Sequence, residues 1–176
     1  MYQTNLMTLN ATHFVKEGSL QLLEKERIWE MDPQSNPAWP EIQSTAPSFS
    51  ALSYDDHLTR ALDANLRGMR FTSQALKLQL NEGRGGSFPL HFDSDRELDG
   101  RQVTAIVYLN DGWTAEAGGQ LRLYPFPEPP VTIEPLFDRL VLFSSPNMLH
   151  RVLPSATRRL CFTVWLSGQR TTVESS

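Results

Sequence analysis

The chain has 176 residues, of which 20 are acidic and 16 basic, giving a formal net charge of −4. This length suits one domain with a sizeable core, and the negative charge argues against a dedicated nucleic-acid surface. The apolar runs are too short for a membrane span, and residues 1–8 lack the basic start and apolar stretch of a signal peptide. The single cysteine excludes an internal disulfide. We therefore expect a soluble, intracellular (cytoplasmic) protein.

The first predicted element lies between Ala11 and Ile28, where apolar and charged residues are mixed. The pattern fits an amphipathic helix that breaks near Gly18. It also fits a helix followed by a strand over residues 27–31.

A proline-rich segment follows over residues 32–47, with prolines at positions 33, 37, 40 and 47. Proline lacks a backbone N–H and fixes φ, so the segment is predicted to be irregular. It is either an ordinary surface loop or a mobile flap beside a substrate, with Trp39 as its apolar anchor.

The clearest helix of the sequence is predicted to begin at Ser53. The Ser53 hydroxyl can cap the helix, and the two aspartates after it suit the positive end of the helix dipole. Leucines recur at helical spacing as far as Leu66, and Gly68 marks the end. His57 lies in the first turn among polar residues, so we interpret it as a surface histidine, and His13 likewise.

From Ser73 onward the apolar pattern changes to alternation, which is typical of β-strands. The predicted strands cover residues 75–80, 87–93, 102–110, 120–124, 131–133, 139–143, 149–153 and 159–166. Many short strands after N-terminal helices predict a double-sheet, barrel-like β fold of mixed α+β class. We expect one domain over residues 1–176, with helical support over 1–72 and the barrel core over 73–168.

His91, Asp93 and His150 form a candidate metal site. Side chains two apart on a strand point to the same face, so His91 and Asp93 present an imidazole and a carboxylate together. His150 lies in another predicted strand. Two histidines and one carboxylate leave the other metal positions open, which suits non-haem Fe(II) and oxygen chemistry.

Arg159 opens the last predicted strand. Alternation places it on one face with Cys161, Thr163 and Trp165, and this face is predicted to point inward. A guanidinium rarely goes inside without a partner, and a dicarboxylate co-substrate would match its planar fork. We interpret Cys161 as a small buried hydrophobe rather than a reactive thiol.

Together these residues resemble the Fe(II)/2-oxoglutarate-dependent oxygenases, and among them the prolyl 4-hydroxylase-like branch. That branch includes the oxygen-sensing hydroxylases of hypoxia-inducible transcription factors and their bacterial relatives. The signature His-x-Asp, distant His, then Arg stands here as His91-Phe-Asp93, His150 and Arg159. Further matching motifs are Gly100–Asn110, Gly118–Arg122, Ile133–Leu140 and Thr163–Trp165. The resemblance implies a double-stranded β-helix, or jelly roll.

The resemblance also implies the roles of the site residues. The catalytic Fe(II) ligands would be His91, Asp93 and His150. The 2-oxoglutarate-binding residues would be Arg159, Tyr108 and Thr163. Oxygen would be the oxidant, succinate and CO₂ the products, and ascorbate the reductant.

Two positions depart from the pattern of many prolyl hydroxylases, which have tyrosines there. They are Asn81, ten residues before His91, and Phe88, three residues before it. Both departures remove hydroxyl groups near the metal and co-substrate. They leave the iron site intact but bear on oxygen sensing and on the substrate.

The resemblance favours hydroxylation of a proline in a protein or peptide substrate. The alternative is a hydroxylase of a free amino acid or small metabolite on the same scaffold. A nucleic-acid demethylase ranks low, because the demethylating relatives carry a second arginine where this chain has Trp165. A non-enzymatic, cupin-like metal-binding barrel would not need Arg159 and Thr163 inside.

Overall fold

The computed structural model describes residues 11–16, 19–24, 27–33, 35–94 and 99–170. In chain order, the first elements are β1 (Ala11–Lys16), β2 (Ser19–Glu24), β3 (Ile28–Met31), α1 (Trp39–Thr45), α2 (Pro47–Tyr54) and α3 (His57–Asn65). The remaining strands are β4 (Met69–Asn81), β5 (Gly86–His91), β6 (Arg101–Tyr108), β7 (Leu121–Tyr124), β8 (Val131–Ile133), β9 (Leu140–Ser144), β10 (Leu149–Ser155) and β11 (Arg159–Arg170). A 3₁₀ turn at Ala115–Ala117 precedes β7.

The strands form two antiparallel sheets and a separate hairpin. The larger sheet has the order β3-β4-β11-β6-β9, and the smaller has the order β5-β10-β7-β8. Strands β1 and β2 pair with each other. The five-stranded and the four-stranded sheet are both open, and they face one another across a shared core. The mainly β, double-sheet architecture predicted from the alternation is confirmed, and so is the jelly roll that the resemblance implies.

Two apolar clusters hold the layers together. The first lies between the sheets and joins residues such as Ile106 and Cys161 of the larger sheet to Leu121 and Val152 of the smaller one. The second lies on the outer face of the larger sheet. There Phe71, Leu76, Val103, Ala105, Val164 and Leu166 pack against side chains of α2 and α3. Strand β11 is therefore covered on both faces, with its even-numbered residues toward the helices.

The helix predicted between Ala11 and Ile28 is wrong, because the structure has the β1–β2 hairpin there. Leu20 and Leu22 are two apart and fit an alternating strand as well as a helix. The strand proposed over residues 27–31 is confirmed as β3, which pairs with β4 at the edge of the larger sheet. The local sequence does not show that pairing partner.

The proline-rich segment is more regular than predicted. Helix α1 lies inside it, with Pro40 in the first turn, and α2 begins at Pro47. Proline is tolerated in a first turn because the N–H it lacks has no partner within the helix. Trp39 is buried against Phe49, and its Nε1 donates to the hydroxyl of Tyr54 at 3.0 Å.

Ser53 does not start a helix. It lies in the last turn of α2, and its hydroxyl donates to the Ser50 carbonyl oxygen at 2.7 Å. Helix α3 begins instead at His57, whose backbone N–H donates to the Asp55 carboxylate at 2.9 Å. His57 is exposed, as predicted, and His13 has no described side chain. Within the described ranges, no helix has the length and apolarity to cross a membrane.

Candidate active site

The three candidate metal ligands converge at one end of the space between the sheets. The Asp93 Oδ1 atom lies 3.3 Å from His91 Nε2 and 3.5 Å from His150 Nε2. His150 and His91 are directly opposite one another on β10 and β5, with ring centroids 4.3 Å apart. Among the described residues this is the one group of three such side chains that could hold a metal ion.

Asp93 reaches the site by a different route from the one the sequence suggested. Strand β5 ends at His91, so Asp93 lies beyond the strand and is held by its backbone N–H, which donates to the Ser145 carbonyl oxygen at 3.2 Å. The same-face argument predicted the proximity of His91 and Asp93 correctly. The backbone that produces it is a bend after the strand rather than the strand itself.

Both histidines present Nε2 to the site because Nδ1 is already used. His91 Nδ1 lies 2.7 Å from the Pro89 carbonyl oxygen, and His150 Nδ1 lies 3.0 Å from that of Met148. A carbonyl accepts only from a protonated nitrogen, so each Nδ1 carries a proton. Each Nε2 faces Asp93, to which it can donate when protonated, and it can bind a metal when it has lost that proton.

The Asp93 carboxylate divides its two oxygens between different tasks. Oδ2 accepts from the Thr104 hydroxyl at 2.8 Å and from Trp165 Nε1 at 3.1 Å, while Oδ1 faces the histidines. Burial opposes ionisation of this group. The hydrogen bonds and charge of His150 and His91 outweigh that effect and hold the pKa of Asp93 well below its usual range. The carboxylate is thus ionised and ready to bind a cation.

Arg159 is buried at the other end of the site, as predicted, with 3% of its surface exposed. Its Nε donates to the Gly119 carbonyl oxygen at 2.9 Å, and its guanidinium carbon lies 5.0 Å from the centre of the Tyr108 ring. No carboxylate in the described part of the chain lies within ion-pair distance of it. An anionic co-substrate would supply the missing ion-pair partner of this buried cation.

Tyr108 lies beside Arg159, and Thr163 lies four residues after Arg159 on the same strand. The Tyr108 hydroxyl is buried and has no hydrogen-bond partner among the described residues. Burial raises the pKa of Tyr108 to about 12, although Arg159 opposes the rise, so the hydroxyl stays protonated and can donate. Thr163 is 3% exposed and lines the same cavity as Arg159.

A cavity of about 200 Å³ connects the candidate ligands to Arg159 and Thr163. Its wall also contains polar and aromatic residues that we did not predict as site residues, namely Glu30, Lys77, Gln79, Arg101 and Trp165. Two cations lie close to the Trp165 ring, with the Arg101 guanidinium carbon at 4.5 Å and Lys77 Nζ at 5.2 Å from its centre. The inward alternation of β11 could have indicated Trp165, but the other four depend on which strands are neighbours.

The remaining sequence-based candidates fall into two groups. Phe88 lines the cavity, and its ring stacks near that of His91. Asn81 instead organises the turn before β5, where its side chain accepts from Gly83 N–H and donates to the Gly86 carbonyl oxygen, both at 2.8 Å. Trp39 belongs to the helical layer and is not among the residues that line the cavity.

The donor set fits Fe(II), and the buried guanidinium fits 2-oxoglutarate. Two neutral imidazoles and one carboxylate on one side of a metal are typical of non-haem Fe(II) oxygenase sites. Arg159, the unpartnered Tyr108 hydroxyl and the Thr163 hydroxyl offer hydrogen-bond donors for a carboxylate. Arg159 and Thr163 come from β11, whereas Tyr108, His91 and His150 come from β6, β5 and β10, and Asp93 from the loop after β5.

Comparison with known proteins points the same way. The family model of the 2OG-Fe(II) oxygenase superfamily matches residues 75–167. The chain is 37% identical over 112 residues to the hypoxia-inducible factor prolyl hydroxylase of Caenorhabditis elegans, covering 62% of this chain and 15% of that protein. The fold is similar to a prolyl 4-hydroxylase of Phytophthora capsici, with a TM-score of 0.71 and 41% identity over 80% of this chain and 48% of the other.

A further solved structure adds a bound peptide. It is a prolyl hydroxylase of Trichoplax adhaerens in complex with an oxygen degradation domain fragment of hypoxia inducible factor, at a TM-score of 0.63 and 28% identity. The match covers 80% of this chain and 62% of that one. The chain thus spans less than two thirds of the length of each of these relatives.

Proposed function

Because the chain belongs to the 2OG-Fe(II) oxygenase superfamily, we propose that it is an Fe(II)- and 2-oxoglutarate-dependent dioxygenase that hydroxylates a prolyl residue in a protein substrate. The observation that carries this proposal is the convergence on one cavity of three side chains that could bind a metal and of a buried arginine with no carboxylate partner among the described residues. The names of the similar proteins support proline as the target.

The Fe(II) ligands we propose are His91, Asp93 and His150. When bound, Fe(II) and 2-oxoglutarate supply the chemistry, in which O₂ oxidatively decarboxylates 2-oxoglutarate to succinate and CO₂ and one oxygen atom enters a substrate C–H bond. Ascorbate would keep the iron reduced. The chain's own contribution is to orient the ligands, and the Thr104 and Trp165 contacts to Asp93 Oδ2 keep Oδ1 directed at the site.

Arg159 binds and orients the co-substrate in this proposal. Its planar fork would receive one carboxylate of 2-oxoglutarate, and Thr163 and Tyr108 would add hydroxyl donors. The apolar walls of the cavity, including Phe88, Ile106 and Leu121, keep water away from the reacting groups. The site therefore separates a charged end that holds the co-substrate from a metal end where the substrate is oxidised.

The proposal is tested by measuring succinate. The protein is loaded with Fe(II) anaerobically and given 2-oxoglutarate, ascorbate and O₂, with proline-containing peptides, with free proline or with neither. We expect succinate to rise with one peptide, together with a mass gain of one oxygen atom on its proline. The Asp93→Ala variant should show neither, because two histidines alone rarely retain iron in an open site.

Other outcomes of that assay separate the alternatives. Succinate that rises only with free proline or another small molecule would replace the protein substrate with a metabolite. Peptide-independent succinate at a low rate would keep the oxygenase and reject the peptides tested. Iron binding without any succinate would overturn the proposed activity altogether.

A further inference from the structure

Four residues form a row across the larger sheet next to Arg159, which lies two positions before Cys161 on β11. Glu30 on β3 is opposite Gln79 on β4, Gln79 is opposite Cys161 on β11, and Cys161 is opposite Tyr108 on β6. Residues directly opposite in neighbouring strands point to the same face, so the whole row faces the space between the sheets. Three of the four are 4% exposed or less, and the fourth, Gln79, lines the cavity.

Hydrogen bonds run along this row in one direction. Arg159 Nη1 donates to Cys161 Sγ at 3.4 Å, Cys161 Sγ donates to Gln79 Oε1 at 3.4 Å, and Gln79 Nε2 donates to Glu30 Oε1 at 2.9 Å. Each donor points from the buried cation toward the buried carboxylate. Hydrogen bonds aligned in this way polarise and strengthen one another.

The state of Cys161 is consistent with this direction. Burial raises the pKa of the Cys161 thiol, although the charge of Arg159 opposes the rise. The thiol therefore stays protonated. Its S–H donates a hydrogen bond to Gln79 Oε1, and its sulfur accepts one from Arg159. The burial predicted for Cys161 is confirmed, but its sulfur makes two polar contacts that a purely apolar residue could not make.

The row also explains how the Arg159 side chain can be fixed while its guanidinium stays free to bind a co-substrate. A carboxylate placed directly on the guanidinium would occupy the fork that a co-substrate needs. Two neutral side chains separate Arg159 from Glu30. The Arg159 atoms Nε and Nη1 are therefore fixed by Gly119 and Cys161, while no carboxylate of the described residues occupies the guanidinium. An arginine fixed in advance loses less conformational freedom when its ligand binds.

We propose that Gln79 and Cys161 are positioning residues for the co-substrate: they hold the Arg159 guanidinium in the orientation that receives 2-oxoglutarate, with Glu30 as the fixed end of the bridge. This inference rests on the proposed function, because it assumes that Arg159 binds 2-oxoglutarate. Neither residue needs to touch the co-substrate itself.

The test measures 2-oxoglutarate binding by calorimetry on the full chain loaded with Mn(II), which replaces Fe(II) without turnover. We expect Gln79→Leu to weaken binding about tenfold and Cys161→Ala about fivefold, since each removes a hydrogen bond to or next to a charged group. Cys161→Ser should stay within about threefold of the parent chain, because a hydroxyl also accepts one hydrogen bond and donates another.

Two controls distinguish positioning from a general loss of structure. Gln74, also on β4, donates to the Asp55 carbonyl oxygen at 2.6 Å, away from the cavity. Gln74→Leu should lower the thermal midpoint but leave the 2-oxoglutarate Kd unchanged. The Mn(II) Kd should be the same in every variant, because none of these side chains is a candidate metal ligand.

A double variant tests whether the two residues act as one bridge. If the two residues act as one bridge, the double variant Cys161→Ala with Gln79→Leu should have about the same 2-oxoglutarate Kd as Gln79→Leu alone. Independent effects would instead raise the Kd by about fiftyfold. Equal Kd values in the parent, Cys161→Ala and Gln79→Leu chains would overturn the inference. Absence of 2-oxoglutarate binding to the Mn(II)-loaded parent would instead overturn the proposed function.

Discussion

At the scale of single residues, the site depends on how each polar side chain divides its hydrogen-bonding capacity. One oxygen of Asp93 accepts hydrogen bonds from Thr104 and Trp165, and the other faces the candidate metal position. Each histidine uses Nδ1 for a backbone carbonyl and keeps Nε2 for the site. These contacts fix protonation state and direction together, which is why the three groups can share one ion.

Arg159 provides the sharpest prediction at this scale. Arg159→Lys keeps the charge but replaces a planar fork by a single ammonium, and it also removes the bonds to Gly119 and Cys161. We expect the 2-oxoglutarate concentration for half-maximal succinate formation to rise by roughly ten- to a hundredfold. Initial rates at varied 2-oxoglutarate measure it, with Arg158→Lys, at the exposed neighbouring position, as the control. An unchanged requirement would remove Arg159 from co-substrate binding.

At the scale of elements, strand register decides the site. His150 on β10 stands opposite His91 on β5, and a slip of one residue would turn His150 to the outer face of the smaller sheet. The register is stabilised by apolar neighbours such as Val152, which packs between the sheets. Packing of the strand and placement of the ligand therefore come from the same alternation.

The helical layer gives a prediction about Trp39. Its ring is buried against Phe49 and Tyr54, so Trp39→Ala should lower the free energy of unfolding by roughly 3 kcal/mol through the cavity it leaves. Urea unfolding measures the loss, and Tyr54→Phe, which removes only the hydroxyl that accepts from Trp39, should lose about 1 kcal/mol or less. A mobile flap would give the opposite result: little change in stability and a reduced rate with peptide.

At the scale of the whole molecule, the candidate metal site joins parts of the chain that are far apart in sequence. His91 ends β5, Asp93 follows it and hydrogen-bonds to Thr104 of the larger sheet, and His150 lies on β10. An ion held by all three would link the smaller sheet to the larger one through Asp93. Metal binding should consequently stabilise the whole fold.

This link can be measured as metal-dependent stability. Mn(II) at a hundred times its Kd should raise the free energy of unfolding by about 2.7 kcal/mol, because it binds only the folded chain. Thermal or urea unfolding with and without Mn(II) shows the effect, and a chelator should reverse it. His150→Ala should lose the stabilisation; the same increase in that variant would place the ion elsewhere.

The sequence by itself predicted the β-strands of the core and the side chains that form the candidate metal site. Alternation is local, so every strand from β4 to β11 was predicted, although β4 already begins at Met69 and β11 continues to Arg170, beyond the predicted bounds. The string His91, Asp93, His150 and Arg159 could be recognised because its spacing is a property of the chain. The structure brings these four residues to one cavity.

The tertiary structure decided what depends on neighbours distant in sequence. Residues 11–24 form a hairpin rather than a helix, although their local pattern fits both. Gln79 and Cys161 are 82 positions apart and meet only because β4 and β11 pair in one register. Periodicity shows which face of a strand a side chain occupies, whereas strand order and register determine what it touches there.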